Sequence, residues 1–213
     1  MKETLTLNDF SIVIRNINTT IQENAVFLCQ LDSVVGDGDH GTTLARGLGK
    51  SVDAITTTPP ATISELLQTV GKTMISSMGG ASGPIFGSLF KEMGRASKGL
   101  ETVTLADLYT MFSRAADKVQ KLGKAEPGDK TLLGSLLPAI DSLAESVEQS
   151  ADIAKSLQKM AQAAQAGVEA TKEMTAKKGR ARYAGERGLG HQDAGATSIY
   201  LMLKSFADTV AGL

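Results

Sequence analysis

An all-α fold is predicted, a single-domain antiparallel up-and-down barrel or bundle of eight helices spanning residues 1–213, and three observations carry it. Apolar residues recur at three- and four-residue intervals along almost the whole chain, with no convincing alternating strand pattern. Glycine and proline breaks divide the chain into eight segments of helical length. The links between them are short, which favours antiparallel neighbours. With 213 residues, 42% of them apolar, the chain suffices for one substantial core, and no long linker, low-complexity tract or repeat argues for two domains.

The first helix, 6–30, opens on Thr6-Leu7-Asn8-Asp9, a reciprocal capping-box pattern. A second, 40–56, follows a glycine- and acid-rich stretch and ends before Pro59-Pro60. The third, 62–78, starts on the capping pattern Thr62-Ile63-Ser64-Glu65 and stops at Gly79-Gly80. Ser82 as N-cap and Pro84 in the first turn open the fourth, 82–98, which Gly99 ends. Thr104-Leu105-Ala106-Asp107 caps the fifth, 104–122, whose face is Leu105, Leu108, Tyr109, Phe112, Ala116, Val119 and Leu122. The sixth, 129–149, repeats the stripe through Leu132, Leu133, Leu136, Leu137, Ile140, Leu143 and Val147. A seventh runs over 151–176, and the eighth, 192–211, buries Ile199, Tyr200, Leu203 and Phe206. These stripes are read as core.

A net charge of −1 provides no global field to recruit nucleic acid or an anionic bilayer, so any anion binding must be local. The single cysteine, Cys29, excludes an internal disulfide framework, and its apolar neighbours Ala25, Val26, Phe27 and Leu28 suggest a small core residue in a reducing compartment. No stretch approaches the ~18 apolar residues of a membrane span, and the N-terminal residues lack a signal-type apolar run. A cytoplasmic protein with no nucleic-acid or membrane partner is expected.

The most informative stretch is Asp32 followed by Gly36-Asp37-Gly38-Asp39-His40-Gly41. Like charges so close are tolerated only when highly solvated or when they share cations, and Mg²⁺ favours such carboxylate oxygens. The glycine spacing matches a dinucleotide fingerprint, but no βαβ pattern surrounds it. Thr42-Thr43 stands where a P-loop needs Lys-Ser/Thr, and Leu48 occupies the twelfth position of an EF-hand counted from Asp37. A solvated acidic turn is the plain alternative to a metal–phosphate site.

The polar, glycine-rich segments 32–43, 79–83, 123–130 and 188–195 occupy the first, third, fifth and seventh connections. Alternate connections of an antiparallel array lie at one end, so these four should share a face where helix N-termini offer N–H groups and positive dipole ends suited to phosphate. Both histidines, His40 and His191, fall in such segments; His40 could donate to a phosphate oxygen or carry a phosphoryl group. Gly79-Gly80-Ala81-Ser82-Gly83-Pro84 reads equally as architecture or as a place where a ring or phosphate nears the backbone. Lys177, Lys178, Arg180, Arg182 and Arg187 form a basic run, in which Arg180 and Arg187 are candidates for offsetting charge on a transferring phosphoryl group.

Taken together, Leu31-Asp32 with the Gly-Asp-Gly-Asp-His-Gly segment, Gly-Gly-Ala-Ser-Gly-Pro at 79–84, Gly-Lys-Ala-Glu-Pro-Gly-Asp-Lys-Thr at 123–131 and Gly-Arg-Ala-Arg-Tyr-Ala-Gly-Glu-Arg at 179–187 closely resemble the nucleotide-binding L subunit of dihydroxyacetone kinase. The resemblance runs nearly end to end. It implies an eight-helix barrel with ADP or ATP at one rim and two Mg²⁺ ions held by Asp32, Asp37 and Asp39. It further implies nucleotide contacts at His40, Gly41, Thr42, Thr43, Ala81, Ser82, Gly123, Leu132, Arg180, Asp193, Ala194 and Gly195. Ala194 departs from the proline that relatives often carry there, which bears on turn rigidity.

By the same resemblance, dihydroxyacetone or a similar short ketose sits on a separate sugar-binding subunit, and a phosphohistidine protein of the phosphotransferase system rephosphorylates bound ADP in place. Two alternatives stand beside this reading. One is an ATP-dependent kinase subunit of the same fold with another acceptor; the other is a non-catalytic regulator that binds a transcription factor.

Overall fold

The computed structural model describes residues 2–213 and contains eight α-helices among them: α1 Leu7–Ser33, α2 His40–Thr57, α3 Ile63–Ser77, α4 Ser82–Ala96, α5 Leu105–Gly123, α6 Leu133–Glu148, α7 Ile153–Ala170 and α8 Ala194–Ala211. Each packs on the next, and α8 packs back on α1, so the antiparallel array closes into a barrel. One isolated antiparallel bridge, Leu5 to Val103, ties the chain's start to the α4–α5 connection.

Burial follows the stripes. Phe10, Ile14 and Ile21 of α1, Leu108 and Phe112 of α5, Leu136 and Leu143 of α6, and Leu203 and Phe206 of α8 point inward and are almost fully buried. Phe206 sits between Phe10 and Phe112, with ring centroids 5.9 and 6.3 Å apart at tilted angles favourable for aromatic pairs. Glycines bring helices into backbone contact where the barrel is tightest: a Cβ on Gly71 would lie 2.5 Å from the Gly87 carbonyl, and one on Gly167 would lie 2.2 Å from that of Gly134.

The predicted elements are all present, with differences at their ends. α1 continues to Ser33, which places Asp32 in its last turn instead of in the loop. α6 begins at Leu133, not 129, because Gly128 and Lys130 both take left-handed backbone, at φ 86° and 54°. α7 stops at Ala170, six residues early, and gives way to two short 3₁₀ stretches, Thr171–Glu173 and Arg180–Gly188, the second kinked at Gly185. Thr6–Asp9 and Thr104–Asp107 form full capping boxes. Thr62 caps α3, but Glu65 turns to the N–H of Ala61, so that box is not reciprocal. Ser82 is the first helical residue of α4, not its cap. Leu122, at the exposed end of α5, leaves the stripe for solvent. Cys29 is half-buried, not core: Leu28 points inward, and one residue further round the helix Sγ faces Thr42 of α2. No described helix is long and apolar enough to cross a membrane.

Candidate nucleotide and metal site

The α1–α2 loop folds around Asp32. Its carbonyl accepts the Gly36 N–H at 2.6 Å, and its Oδ2 accepts the N–H groups of Gly38 and Asp39 at 2.9 and 3.2 Å. A Cβ at Gly36 would fall 2.3 Å from Asp32 Oδ1, and Gly38 takes φ 74°, so both glycines are required by the turn. The result brings one carboxylate oxygen each from Asp32, Asp37 and Asp39 within 4.8 Å of one another. Three hard oxygen donors on one side, with space for further ligands, suit Mg²⁺. Arg180, reaching across from the α7–α8 connection, forms an exposed ion pair with Asp37 and neutralises part of this cluster.

Gly41 follows, buried, with the Ala25 carbonyl of α1 only 1.9 Å from where a Cβ would stand. His40 is buried against Phe86 of α4, ring centroids 5.8 Å apart, and its Nε2 lies 2.8 Å from Ser198 Oγ of α8. The Ser198 hydroxyl donates to the Ala194 carbonyl, so it receives from Nε2–H; the imidazole proton therefore sits on Nε2. Burial lowers the His40 pKa, and the charges of Asp32 and Asp39 oppose that only in part.

The other connections close on this one. Gly195 lies against Leu132, with 3.4 Å from its Cβ position to the Leu132 N and Cβ. A Cβ on Gly188 would lie 3.2 Å from Val35 Cγ1 of the first loop, and one on Gly123 would lie 3.5 Å from Ile85 Cδ1 of α4. Asp193 caps α8 through the Ala196 N–H at 2.7 Å, while its own N–H donates to Thr171 Oγ1. Burial pushes the Asp193 carboxyl up to about 6, against the Ala196 N–H, Lys130 and Gly195 N–H, with Asp32 adding repulsion. Asp32, Asp37, Asp39, His40–Thr43, Arg180, Leu132 and Asp193–Gly195 are thus one neighbourhood. Ala81, Ser82 and Gly123 join it through α4 rather than by direct contact with the acidic loop. His191 is exposed and its carbonyl, not its ring, is used.

Helix starts differ between the two ends of the barrel, with α8 as the exception. α1, α3, α5 and α7 begin on Thr6, Thr62, Thr104 and Asp152, all in extended backbone and all capping through their side chains. At the site end, α2, α4 and α6 begin on Asp39, Ala81 and Leu132, all in helical-region backbone and without a bond from the cap residue's own side chain, whereas α8 begins on Asp193, extended and capping. Among the first-turn N–H groups of α2, α4 and α6, Thr42 donates to Cys29 Sγ, Leu133 to Thr131 Oγ1 and Gly134 to the Thr131 carbonyl, so what these starts offer an anion is the dipole ends and the N–H groups that remain at α2 and α4. Sequence reasoning did not find this contrast, nor the buried pair Asp129 and Lys130 in the α5–α6 connection.

An all-α barrel with an acidic, cation-competent loop beside uncapped helix N-termini defines the class: a phosphate-handling domain built on helix ends. A family model described as the DAK2 domain matches residues 34–208, and the chain belongs to that family. It is 41% identical over 181 residues to the PEP-dependent dihydroxyacetone kinase ADP-binding subunit DhaL of Escherichia coli, covering 85% of this chain and 86% of that one. Identity is 36% over 203 residues to the corresponding subunit of kinase 1 of Listeria innocua, covering 95% and 93%. The dihydroxyacetone kinase of C. freundii, solved with AMP-PNP and Mg²⁺, shares the fold with a TM-score of 0.73 at 24% identity. That match covers 98% of this chain but 35% of the longer one.

Proposed function

We propose that this chain is the ADP/ATP-binding subunit of a dihydroxyacetone kinase, passing a phosphoryl group to dihydroxyacetone or a similar short ketose on a separate sugar-binding subunit. Bound ADP is rephosphorylated in place by a phosphohistidine protein of the phosphotransferase system. The observation that carries the reading is the convergence of one carboxylate oxygen each from Asp32, Asp37 and Asp39 directly before the start of α2, with the Arg180 guanidinium paired to Asp37. The E. coli relative, aligned over most of both chains, is an ADP-binding subunit by name, which supports the same reading.

Asp32, Asp37 and Asp39 would hold two Mg²⁺ ions, which supply charge neutralisation at the β- and γ-phosphates. The chain's own residues do the positioning. Backbone N–H groups of His40 and Gly41 would donate to phosphate oxygens on the dipole end of α2, while Thr42 and Thr43, whose N–H groups are bonded to Cys29 Sγ and the Asp39 carbonyl, would flank the phosphates. His40 contributes its N–H and the packing of its ring, since the neutral imidazole is buried and its proton is committed to Ser198. Ala81 and Ser82 present the start of α4, whose Gly79 and Gly80 leave the approach open. Gly123, Leu132 and Asp193 to Gly195 flank the pocket. Arg180 is an exposed guanidinium tied to the acidic loop, and it offsets charge on the phosphoryl group in flight.

Calorimetry of dialysed protein tests this directly: Mg²⁺-dependent ADP binding is expected, and its absence in protein free of bound nucleotide overturns the reading. Supplying a sugar-binding subunit with either ATP or a phosphohistidine donor then distinguishes the two donors. Turnover with ATP and not with the phosphoprotein would refute in-place rephosphorylation.

A further inference from the structure

We propose that Lys130 is a positioning residue for the nucleotide site: its ammonium, seated in a socket of backbone carbonyls, fixes segment 171–193 so that Arg180 and Asp193 face the acidic loop. The positioning role rests on the nucleotide-binding reading above. The Lys130 side chain runs from the α5–α6 connection into the α7–α8 connection, and the residue is 4% exposed. Its Nζ donates to the carbonyls of Met174 at 3.2 Å, Gly188 at 2.5 Å and His191 at 2.8 Å. An ammonium has three donors and no acceptor, and all three are used here.

The three acceptors come from both limbs of the segment, so one cation draws them together at their base. Carbonyls can only accept, and a compact point charge suits a converging set of them better than a planar guanidinium does. Two carboxylates, Asp193 and Glu173, favour the charged form from nearby, against the burial that lowers the Lys130 pKa. The preceding residue grips the same segment. Asp129 accepts the Lys177 N–H at its carbonyl, and its carboxylate pairs with Lys177 and Lys178 at 3.6 and 3.7 Å. Asp129 and Lys130 thus hold the segment before and after the exposed turn that carries Arg180 and the Gly185 kink.

The backbone bears a cost for this arrangement. Lys130 takes φ 54°, a left-handed conformation uncommon for a side chain of this kind, and such strain persists where the surrounding structure determines it. The clamped limb at Gly188 runs beside Val35, whose Cγ1 lies 3.2 Å from where a Cβ on Gly188 would stand, so a shift of the socket reaches the loop that carries Asp37 and Asp39.

The segment itself supplies the assay, because Lys177, Lys178, Arg180, Arg182 and Arg187 are trypsin sites that the clamp should protect. Lys130→Met removes the ammonium at similar side-chain length, and Lys130→Gly removes it while accepting the left-handed backbone without strain, which guards against a variant that fails to fold. Both are expected to keep wild-type helical circular dichroism, to be cut within 177–187 at least tenfold faster without nucleotide, and to bind Mg-ADP at least tenfold more weakly. Lys118→Met, on the exposed face of α5, should match wild type in both assays. Unchanged cleavage in both variants overturns the clamp; faster cleavage with unchanged Mg-ADP affinity overturns the positioning role. Were the wild-type chain to bind no Mg-ADP, the functional reading and the positioning role would fall together, while the cleavage comparison would still decide the clamp.

Discussion

Asp193 provides the sharpest electrostatic prediction. Its carboxyl is raised from 3.8 to about 6 in the fold, chiefly by burial. A carboxyl with a raised folded pKa binds its proton more tightly in the native state than in the unfolded chain. Stability from this group is therefore present at low pH and lost as pH climbs from the unfolded pKa through the folded one. The whole gap corresponds to about 3 kcal/mol, of which about 2 kcal/mol falls between pH 4 and pH 7. Asp193→Asn keeps an N-cap oxygen for the Ala196 N–H but does not titrate. Urea denaturation of both proteins in EDTA should then give two stability curves that diverge. The variant gains about 2 kcal/mol on wild type from pH 4 to pH 7, whatever constant offset the altered charge near Lys130 adds. Taking the difference of differences also cancels the other titrating groups, such as Asp9 and Asp129, whose lowered pKa values act in the opposite sense. Parallel curves over this interval would refute the assignment of the shift to Asp193.

Gly41→Ala should destabilise the fold by about 3 kcal/mol or more, because its Cβ meets backbone of α1 rather than a movable side chain; urea midpoints check this. Asp37→Ala should change stability by less than about 0.5 kcal/mol, since the pair with Arg180 is exposed, yet abolish the Mg²⁺ dependence of ADP binding in calorimetry. Ser198→Ala strands the buried Nε2–H of His40 and should cost about 1–3 kcal/mol, with the imidazole nitrogen shifts in NMR reporting a changed tautomer balance.

Fold and site were legible in the sequence to different depths, for physical reasons. Helical periodicity is a property of each segment alone, so all eight helices could be read from spacing, and the alternation of loops put the four glycine-rich connections at one end. Asp32, Asp37 and Asp39 could be grouped because ten residues hold them all. Where long-range packing decides, local pattern gave out. α7 ends early where Lys130 and Thr171 make long-range bonds to a segment that, by composition, continues as helix. Leu122 and Cys29 show the same limit: apolar neighbours do not reveal which side of a helix a particular position faces.

The uncapped helix starts raise the question of whether the site end merely lacks good capping residues. Asp39 argues otherwise, because aspartate is among the best N-caps and yet makes no capping bond here. The backbone is the cause: Asp39, Ala81 and Leu132 enter their helices at ψ −1°, −22° and −23°, whereas the five residues that cap have ψ between 131° and 174°. In that entry geometry the cap residue's own side chain does not fold back on the first-turn N–H groups; at α2 and α6 some of them bond Cys29 Sγ and Thr131 instead, while Ser82 and Gly83 at the start of α4 have no such partner among the described residues. Ala81→Asp isolates the point. If the entry geometry governs, the substitution adds no cap, leaves stability in urea within about 0.5 kcal/mol, and sets a carboxylate where phosphate approaches, weakening Mg-ADP binding about tenfold. Stabilisation by the ~1 kcal/mol of an ordinary N-cap, with nucleotide affinity unchanged, would mean that α4 was simply short of a capping residue and that its open end has no part in binding.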